Sequence, residues 1–402
     1  MKILFISGDS TPFNPTRGSN IRSYYICKSL CELGEVDVLC LKSTDEDIFK
    51  EKDLLPVRET FCVEKRDYPC GRTLKKIQDS ATLFKLYRLY QLLFKKESFY
   101  FVNKRVRDEV AQIINARDYD AIFVQRMDVV IMTSLEADPR LIVDIDDHPS
   151  DAVSGRYLYK NLILRKIAKI KTGRTYKNFR EKVSILLLAN KEQISHPHER
   201  YLPNLPYIPQ EKNPDNLKPD DGPSVLFIGS LAYAPNYTGL QKFINDVWRK
   251  ITEQVPECKL NIVGRGLPEK QQAEFAKVKG VKLWGYQENL DKFFRSSTLC
   301  VSPIYSGAGT NIKILESIMR GLPIVATPFS IRGYEDFLID GQNIFIGESD
   351  NDFAEKVVKC LKDDTLRKSI SANALDALAS QCYNYNYFIE TIKGCVNDLS
   401  SR

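Results

Sequence analysis

Short, β-rich apolar runs alternate with helix-patterned segments along most of this chain, and that alternation constrains the fold more than any single motif. In the first half the runs are 3–7, 36–41, 121–125, 141–145 and 183–188. The second half has 225–228, 260–263, 281–284, 299–303, 324–327 and 344–346. Helical periodicity fills the gaps between them, as in 19–33, 105–115, 239–255, 269–278, 312–320 and 352–361. Strands alternating with helices argue for parallel sheets built from right-handed crossovers. The fold class expected is α/β.

A chain of 402 residues is too long for one ordinary core, and its seam is visible. Residues 206–223, PYIPQEKNPDNLKPDDGP, are dense in proline, charge and turn formers, and a fresh strand, SVLFIGS, follows at once. The architecture expected is two doubly wound Rossmann-like domains, 1–205 and 224–382, joined by this linker. A final helical segment, 383–402, is expected to pack back on the first. Open parallel sheets bind ligands beyond the carboxyl ends of their strands. Two such domains facing each other would enclose a cleft between those loops, so strand-end residues are the ones to examine.

Composition narrows the class further. Apolar residues make up 43% and charged residues 27%, which is ordinary globular material. The longest apolar stretch, 183–189 with a serine inside it, falls far short of the ~20 residues that span a bilayer. The opening MKILFISGDS reads as a first strand rather than a signal peptide. Ten cysteines are scattered without a CxxC pair, and three histidines assemble no zinc constellation. Reduced core thiols of a cytosolic protein are expected.

The net charge of +6 is unevenly spread. Between Arg156 and Lys182 ten basic residues face one acid, Glu181, with Leu162, Ile163 and Ile170 interleaved. Segment 74–101 mixes Lys75, Lys85, Arg88 and Lys95 with Leu83, Leu86, Tyr90 and Leu93. Both segments suit either a peripheral helix on an anionic membrane surface or the solvated face of a packed helix. No recognition motif accompanies the charge, so no nucleic-acid partner is expected.

The sharpest chemistry lies in residues 302–336, SPIYSGAGTNIKILESIMRGLPIVATPFSIRGYED. A strand gives way to a loop with Gly307, Gly309 and Thr310, and then to a helix holding Lys313 and Glu316. Bare amides at a helix N-terminus make a ready anion site, and glycines let backbone approach a diphosphate. A carboxylate at Glu316 can accept a bidentate hydrogen bond from a vicinal diol such as a ribose.

This arrangement resembles the C-terminal domain of retaining GT-B-fold glycosyltransferases of family 4 (glycosyl transferases group 1), of the bacterial surface-polysaccharide type. The resemblance extends back through VLFIGSLAYAPN (225–236), LNIVGRG (260–266) and VKLWGYQENLDKFFRSSTLCVSPIY (281–305), in the family's order. It implies a hexosyltransferase that moves a sugar from a nucleotide-sugar donor to a glycan or lipid-linked acceptor hydroxyl, with retention of configuration. Neither a metal nor another cofactor is implied. Glu316 would hold the donor ribose, and Gly307, Gly309 and Thr310 would approach the diphosphate or the sugar. Gly229, Asn236, Arg265 and the loop after Trp284 would surround the rest of the donor.

Two departures from the family pattern stand out. Ala308 occupies the place of the first of two glutamates eight positions apart, although the loop fits a G-x-G-T-x-x-K-x-L-E variant. The basic pair usual after the domain's first strand is missing, since no cation follows Gly229 until Lys242. Lys313 is therefore expected to meet the leaving diphosphate, with Arg332 and Arg265 in reserve.

In the first half, the resemblance places Gly18 and Ser19 in the glycine loop after the opening strand, with Arg17 and Arg22 beside them. LIVDIDDHPSDAV (141–153) crowds Asp144, Asp146, Asp147 and His148 at a strand end. His148 or Asp147 would face the sugar, with Arg126 and Asp146 on the acceptor side. The same cluster also reads as a metal-binding DxD, or as a loop that caps the helix after Pro149. No protein nucleophile is evident, which suits a front-face reaction. Two rivals share the fold: a nucleotide-sugar 2-epimerase, and a non-catalytic nucleotide-sugar-binding partner in polysaccharide assembly. The location expected is cytoplasmic, or peripheral on the inner face of the membrane.

Overall fold

The computed structural model describes residues 1–8, 10–15, 18–42, 49, 52–64, 81–94, 103–146, 148–152, 162–207, 222–307 and 309–400. Arg17, Asp147, Ala308 and residues 208–221 of the expected linker lie outside them, as do 74–80, 95–101 and 156–161 of the basic segments. The chain divides into two compact units, Met1–Leu205 with Asn384–Arg402, and Pro206–Tyr383.

The first unit holds β1 (Lys2–Ser7), β2 (Glu35–Lys42), β3 (Glu59–Glu64), β4 (Ala121–Gln125), β5 (Leu141–Asp146), β6 (Ile185–Leu188) and β7 (Glu199–Tyr201). They form one sheet in the order β3-β2-β1-β4-β5-β6-β7, and every pairing is parallel. Its helices are α1 (Gly18–Leu33), α2 (Ala81–Phe94), α3 (Lys104–Asn115), α4 (Met127–Thr133), α5 (Pro149–Ala152) and α6 (Leu162–Arg180). The second unit holds β8 (Ser224–Ile228), β9 (Lys259–Val263), β10 (Val281–Gly285), β11 (Leu299–Ser302), β12 (Ile324–Ala326) and β13 (Phe345–Ile346), again all parallel, in the order β10-β9-β8-β11-β12-β13. Its helices are α7 (Ala234–Lys242), α8 (Arg249–Gln254), α9 (Glu269–Phe275), α10 (Asp291–Ser296), α11 (Ile312–Met319), α12 (Asp350–Lys362) and α13 (Asp364–Ala379). A last helix, α14 (Tyr385–Ser400), belongs to the first unit. There Tyr385 and Phe388 pack on Tyr25 of α1, and the Tyr385 hydroxyl donates to Glu32 Oε1 at 2.7 Å.

Central strands read as unbroken apolar runs because both of their faces are covered. Ile3, Leu4, Phe5 and Ile6 of β1 are all fully buried, as are Val225, Leu226 and Phe227 of β8. Edge strands differ: β3, ETFCVE, and β10, VKLWG, leave most of their side chains at least partly exposed. In the second unit α7 begins with Pro235 in its first turn, a position that needs no backbone N–H. It runs on through a π-helical segment, Phe243–Trp248, into α8. Trp248 is buried there, with Nε1 donating to the Lys279 carbonyl at 2.9 Å.

The strand order reverses between β1 and β4, and again between β8 and β11. Such reversals are the topological switch points at which open α/β sheets bind ligands. β8 pairs with β11 only through Val225↔Leu299 and Leu226↔Cys300, so the two carboxyl ends run on unpaired with each other. All nine described cysteines are free thiols, and six of them are buried. Among the described residues no helix is long and apolar enough to cross a membrane.

Candidate functional site

Both sides of the β8/β11 switch point carry residues picked out from the sequence. After β8, the Gly229 turn lies against Asn236 of α7, so closely that a β-carbon on Gly229 would stand 2.8 Å from Asn236 Nδ2. After β11, the glycine loop leads into α11, whose second residue is Lys313. The Lys313 side chain turns inward and only 9% of the residue is exposed. Its ammonium donates to Asn236 Oδ1 at 2.9 Å and sits 5.1 Å from the centre of the Phe227 ring. Asn236 is oriented in turn by Nδ2, which donates to the Ser230 carbonyl at 3.0 Å. Burial pulls the Lys313 pKa down to about 8, against weaker support from Cys300 and Glu316.

Glu316 lies one turn further along α11 and is half-buried. Burial pushes its carboxyl pKa upward, Asp291 adds to the rise, and Arg320 and Lys313 oppose it. Arg320 is committed elsewhere: its Nε donates to Asp291 at 2.6 Å and its guanidinium stacks on Phe294 at 4.4 Å. The Glu316 carboxylate makes no hydrogen bond or ion pair among the described residues. A half-buried carboxylate left in that state suits a hydroxyl-bearing ligand.

The loops around these two side chains are paved with close approaches. A β-carbon on Gly264 would lie 1.9 Å from the Gly229 carbonyl oxygen, and one on Gly307 would lie 2.9 Å from Tyr233 Oη. Gly307 and Gly309 hold φ of 134° and 78°, values that favour glycine. Beneath the loop Ser330 is fully buried, and its Oγ accepts from Ile304 N–H at 3.1 Å and donates to the Ser302 carbonyl at 2.5 Å. Asn311 Nδ2 donates to the Ser330 carbonyl at 2.8 Å. Thr310 leads directly into this turn, with its carbonyl accepting from Ile312 N–H at 3.1 Å.

The two reserve arginines differ. Arg332 stacks on Phe329 at 4.6 Å and donates from one terminal nitrogen to the Gly309 carbonyl at 3.4 Å, so it braces the glycine loop. Its buried Nε has no hydrogen-bond partner among the described residues. Arg265 is exposed, and its guanidinium makes no hydrogen bond or ion pair among the described residues. Lys242, the first cation after Gly229, is taken by Asp350 at 2.5 and 2.6 Å. Tyr233 and Tyr305, two exposed aromatics in the loops after β8 and β11, were not picked out from the sequence. Their one signal was a position just beyond a strand.

In the first unit the structure changes the reading of Arg22 and Asp144. Arg22 is not a cation waiting for a phosphate. It is buried and clamps Asp144 in a bidentate pair, with Nε at 3.1 and 2.9 Å and Nη2 at 2.7 Å. Its Nη1 donates to the Leu202 carbonyl at 3.0 Å and to Asn204 Oδ1 at 2.9 Å. The pair joins α1, β5 and the segment after β7, and so withdraws Asp144 from a metal-binding DxD. Asp146 accepts from Asn204 Nδ2 at 3.2 Å.

Asp146 and Arg126, at the carboxyl ends of adjacent strands, have φ of 62° and 83°. Conformations of this kind cost about 1–3 kcal/mol each for a non-glycine residue and gather at binding sites. Arg126 is half-exposed and pairs with Asp128 at 3.0 Å. His148 is half-buried; its Nδ1 lies 2.7 Å from Ser150 Oγ, and its ring meets Tyr176 edge-on at 4.4 Å. The Ser150 N–H also reaches His148 Nδ1, at 3.3 Å, so this loop does cap the short helix α5. Gly18 is the first residue of α1, beyond β1. Asp147, expected beside His148, lies outside the described residues.

Comparison with known proteins follows the same division. Residues 222–363 match the family described as Glycosyl transferases group 1. An uncharacterized 44.6 kDa protein of the cps region of Klebsiella pneumoniae is 24% identical over 158 residues, 38% of this chain. The match spans 40% of that curated relative's length. Among solved structures, a mutant of S. aureus TarM in complex with Fondaparinux, alpha-GlcNAc-glycerol and UDP superposes with a TM-score of 0.67 at 13% identity, covering 99% of this chain and 100% of that one. Sucrose-phosphate synthase from Thermosynechococcus elongatus gives 0.65 at 15%, covering 100% and 99%. Anabaena Alr3699/HepE in complex with UDP and glucose gives 0.63 at 15%, covering 99% and 100%. At these identities the likeness establishes the fold, which is the GT-B type expected: α/β, with two parallel-sheet units.

Proposed function

We propose that this chain is a glycosyltransferase that moves a hexosyl group from a uridine-diphosphate sugar to a hydroxyl of a glycan or lipid-linked acceptor, with retention of configuration. The observation that carries the reading is Lys313: a buried ammonium, held by one amide oxygen, at the carboxyl-end switch point of a glycine-paved α/β sheet. A charge so placed is costly in the free protein, and an anion beside it removes the cost. Support for the donor class comes from the family match over 222–363 and from two of the similar structures, which hold UDP.

In this reading Glu316 accepts from the ribose hydroxyls, and Gly229, Asn236 and Arg265 border the donor. Gly307, Gly309 and Thr310, braced by Arg332, let backbone reach the diphosphate. Gly18, in the first unit, is assigned to the donor as well. As the bond between the anomeric carbon and the β-phosphate oxygen breaks, Lys313 meets the charge that develops on that oxygen. The acceptor oxygen bonds to the anomeric carbon on the face the phosphate leaves, and its proton passes to the departing phosphate. In the same reading His148 and Asp147 are assigned to the sugar, and Asp146 and Arg126 to the acceptor. Positive charge comes from side chains, so no metal enters the reaction, which takes place in the cytoplasm.

The test is a thermal-shift screen against UDP-, GDP-, ADP- and dTDP-sugars, followed by incubation with the stabilising donor and NMR of the released or transferred sugar. A UDP-sugar should raise the apparent melting temperature by preferring the folded state, and the product should keep its anomeric configuration. Inversion, or epimerisation at C2 of the donor, would overturn the reading. Tight binding without any turnover across acceptors would make the chain a nucleotide-sugar-binding partner instead.

A further inference from the structure

The two basic segments, far apart in sequence, meet in the structure. Leu92 of α2 is buried against Ala168 of α6, with Leu164 and Ile167 packed around them. Lys171 closes the contact, its ammonium donating to the Leu92 carbonyl at 2.5 Å and reaching the Leu93 carbonyl at 3.4 Å. This fixes which face of each helix points inward, and the opposite faces carry unusual side chains.

On α6 the exposed face runs Leu162, Ile163, Lys166, Ile170, Arg174 and Lys177, a three-to-four-residue spacing that makes one helical stripe. Leu162 is 74% exposed and Ile163 70%. Gly173 lies on the same stripe, and a β-carbon there would meet nothing within 4 Å. The helix contains seven Lys and Arg residues and no acid over its length, LILRKIAKIKTGRTYKNFR. On α2 the exposed residues include Leu83, Leu86, Tyr90 and Leu93, again one stripe, with Leu86 57% exposed. Ordinary surface helices turn such a stripe inward. Here large apolar side chains face out on a helix whose charged residues are all cations.

We propose that the paired helices α2 and α6 form the surface by which this protein docks on an anionic lipid bilayer. The chemistry fits on both counts. Exposed Leu and Ile side chains gain by entering the headgroup–acyl boundary, and the lysines and arginines gain from the negative surface potential. An acid-free cationic helix is complementary to anionic lipid rather than to a second copy of itself, which would set like charge against like. The surface lies wholly within the first unit, whereas Lys313 and Glu316 belong to the second. It therefore holds whether or not the donor site performs the transfer proposed above.

The test is co-sedimentation of the full chain with vesicles of phosphatidylcholine alone and of phosphatidylcholine with phosphatidylglycerol. The protein should bind the anionic vesicles at low salt, bind less as ionic strength rises, and leave neutral vesicles nearly bare. Replacing two exposed apolar side chains, Leu162→Ser with Ile163→Ser, should weaken partition onto anionic vesicles by about tenfold or more. Lys166→Gln with Lys177→Gln should weaken it and flatten its salt dependence. Circular dichroism and melting of both variants should match the wild type, because all four side chains are exposed. A wild type that leaves anionic vesicles bare would overturn the proposal, and so would variants that bind them as well as wild type. If the Leu162→Ser/Ile163→Ser variant instead dissolves a dimer seen by gel filtration while no form binds vesicles, the face is a protein interface. A UDP thermal shift on the same samples reads the donor site separately.

Discussion

Replacing Lys313 by Met tests the charge at the centre of the proposed donor site, and the sign of its effect on stability is the informative part. A lysine that titrates near 8 instead of 10.5 costs the folded protein about 3 kcal/mol at neutral pH, at about 1.4 kcal/mol per pKa unit. Met fills a similar volume without the charge, but loses the hydrogen bond to Asn236, worth about 1–2 kcal/mol. The ligand-free variant should therefore be about 1–2 kcal/mol more stable than wild type at pH 7, whereas most core substitutions destabilise. Below pH 8 both folded and unfolded wild type keep the proton, and the cost is fully present. Between pH 8 and 10.5 the folded state releases the proton while the unfolded state holds it, so wild-type stability rises with pH. By pH 9.5 the variant's advantage should have shrunk by about 2 kcal/mol. Urea denaturation at the two pH values measures this directly. With UDP present the order should reverse, because only wild type has an ammonium to meet the diphosphate, and UDP affinity should fall as pH rises above 8. Turnover should fall far more than KM rises, since the charge matters most as the bond breaks. A Met variant less stable than wild type at pH 7, with a difference independent of pH, would show that Lys313 is a satisfied structural residue.

Four further outcomes follow from the same geometry. Glu316→Gln should weaken UDP-sugar binding by about 1.5–3 kcal/mol in calorimetry and leave the fold intact, the magnitude of a charged hydrogen bond; unchanged affinity would remove Glu316 from the ribose. Asn236→Ala deprives Lys313 of its amide partner, so the pH above which UDP affinity declines should move to the acid side of wild type. Arg22→Met leaves Asp144 charged and buried without its partner, and should cost about 3–5 kcal/mol in chemical denaturation. EDTA should leave transfer unaffected, and loss of activity restored by manganese or magnesium would return Asp146 and Asp147 to the role of metal ligands.

The fold was legible where strands are central. Each run expected as a strand, from 3–7 to 344–346, has its counterpart within a residue or two, and the central ones read most clearly because a strand covered on both faces must be apolar throughout. The strands without a signal were β3 and β7. β3, ETFCVE, alternates charged and apolar residues at the sheet's edge, and β7, ERY, is three residues long. The helix expected over 239–255 gave no hint of the π-helical turn at Phe243–Trp248 or of its earlier start at Ala234, since the FINDVW segment has no residue type that marks a change in helical pitch.

Site residues were legible as types and positions, but not as partnerships. Glu316 and Lys313 stood out because a glycine loop before a helix is a local pattern. What the lysine does depends on Asn236, 77 residues away, and on burial above Phe227, and neither leaves a local trace. The same holds for Arg22, whose bidentate partner Asp144 is 122 residues distant: the sequence shows two charges near strand ends, and folding turns them into one neutralised structural pair. These two outcomes separate the units physically. In the first, a buried cation is fully matched by a carboxylate and carbonyls and has nothing left to offer a ligand. In the second, a buried cation is held by an amide oxygen alone, beside a carboxylate that pairs with nothing described. Only the second arrangement is improved by an arriving anion that also carries a diol, and a nucleoside diphosphate has both groups.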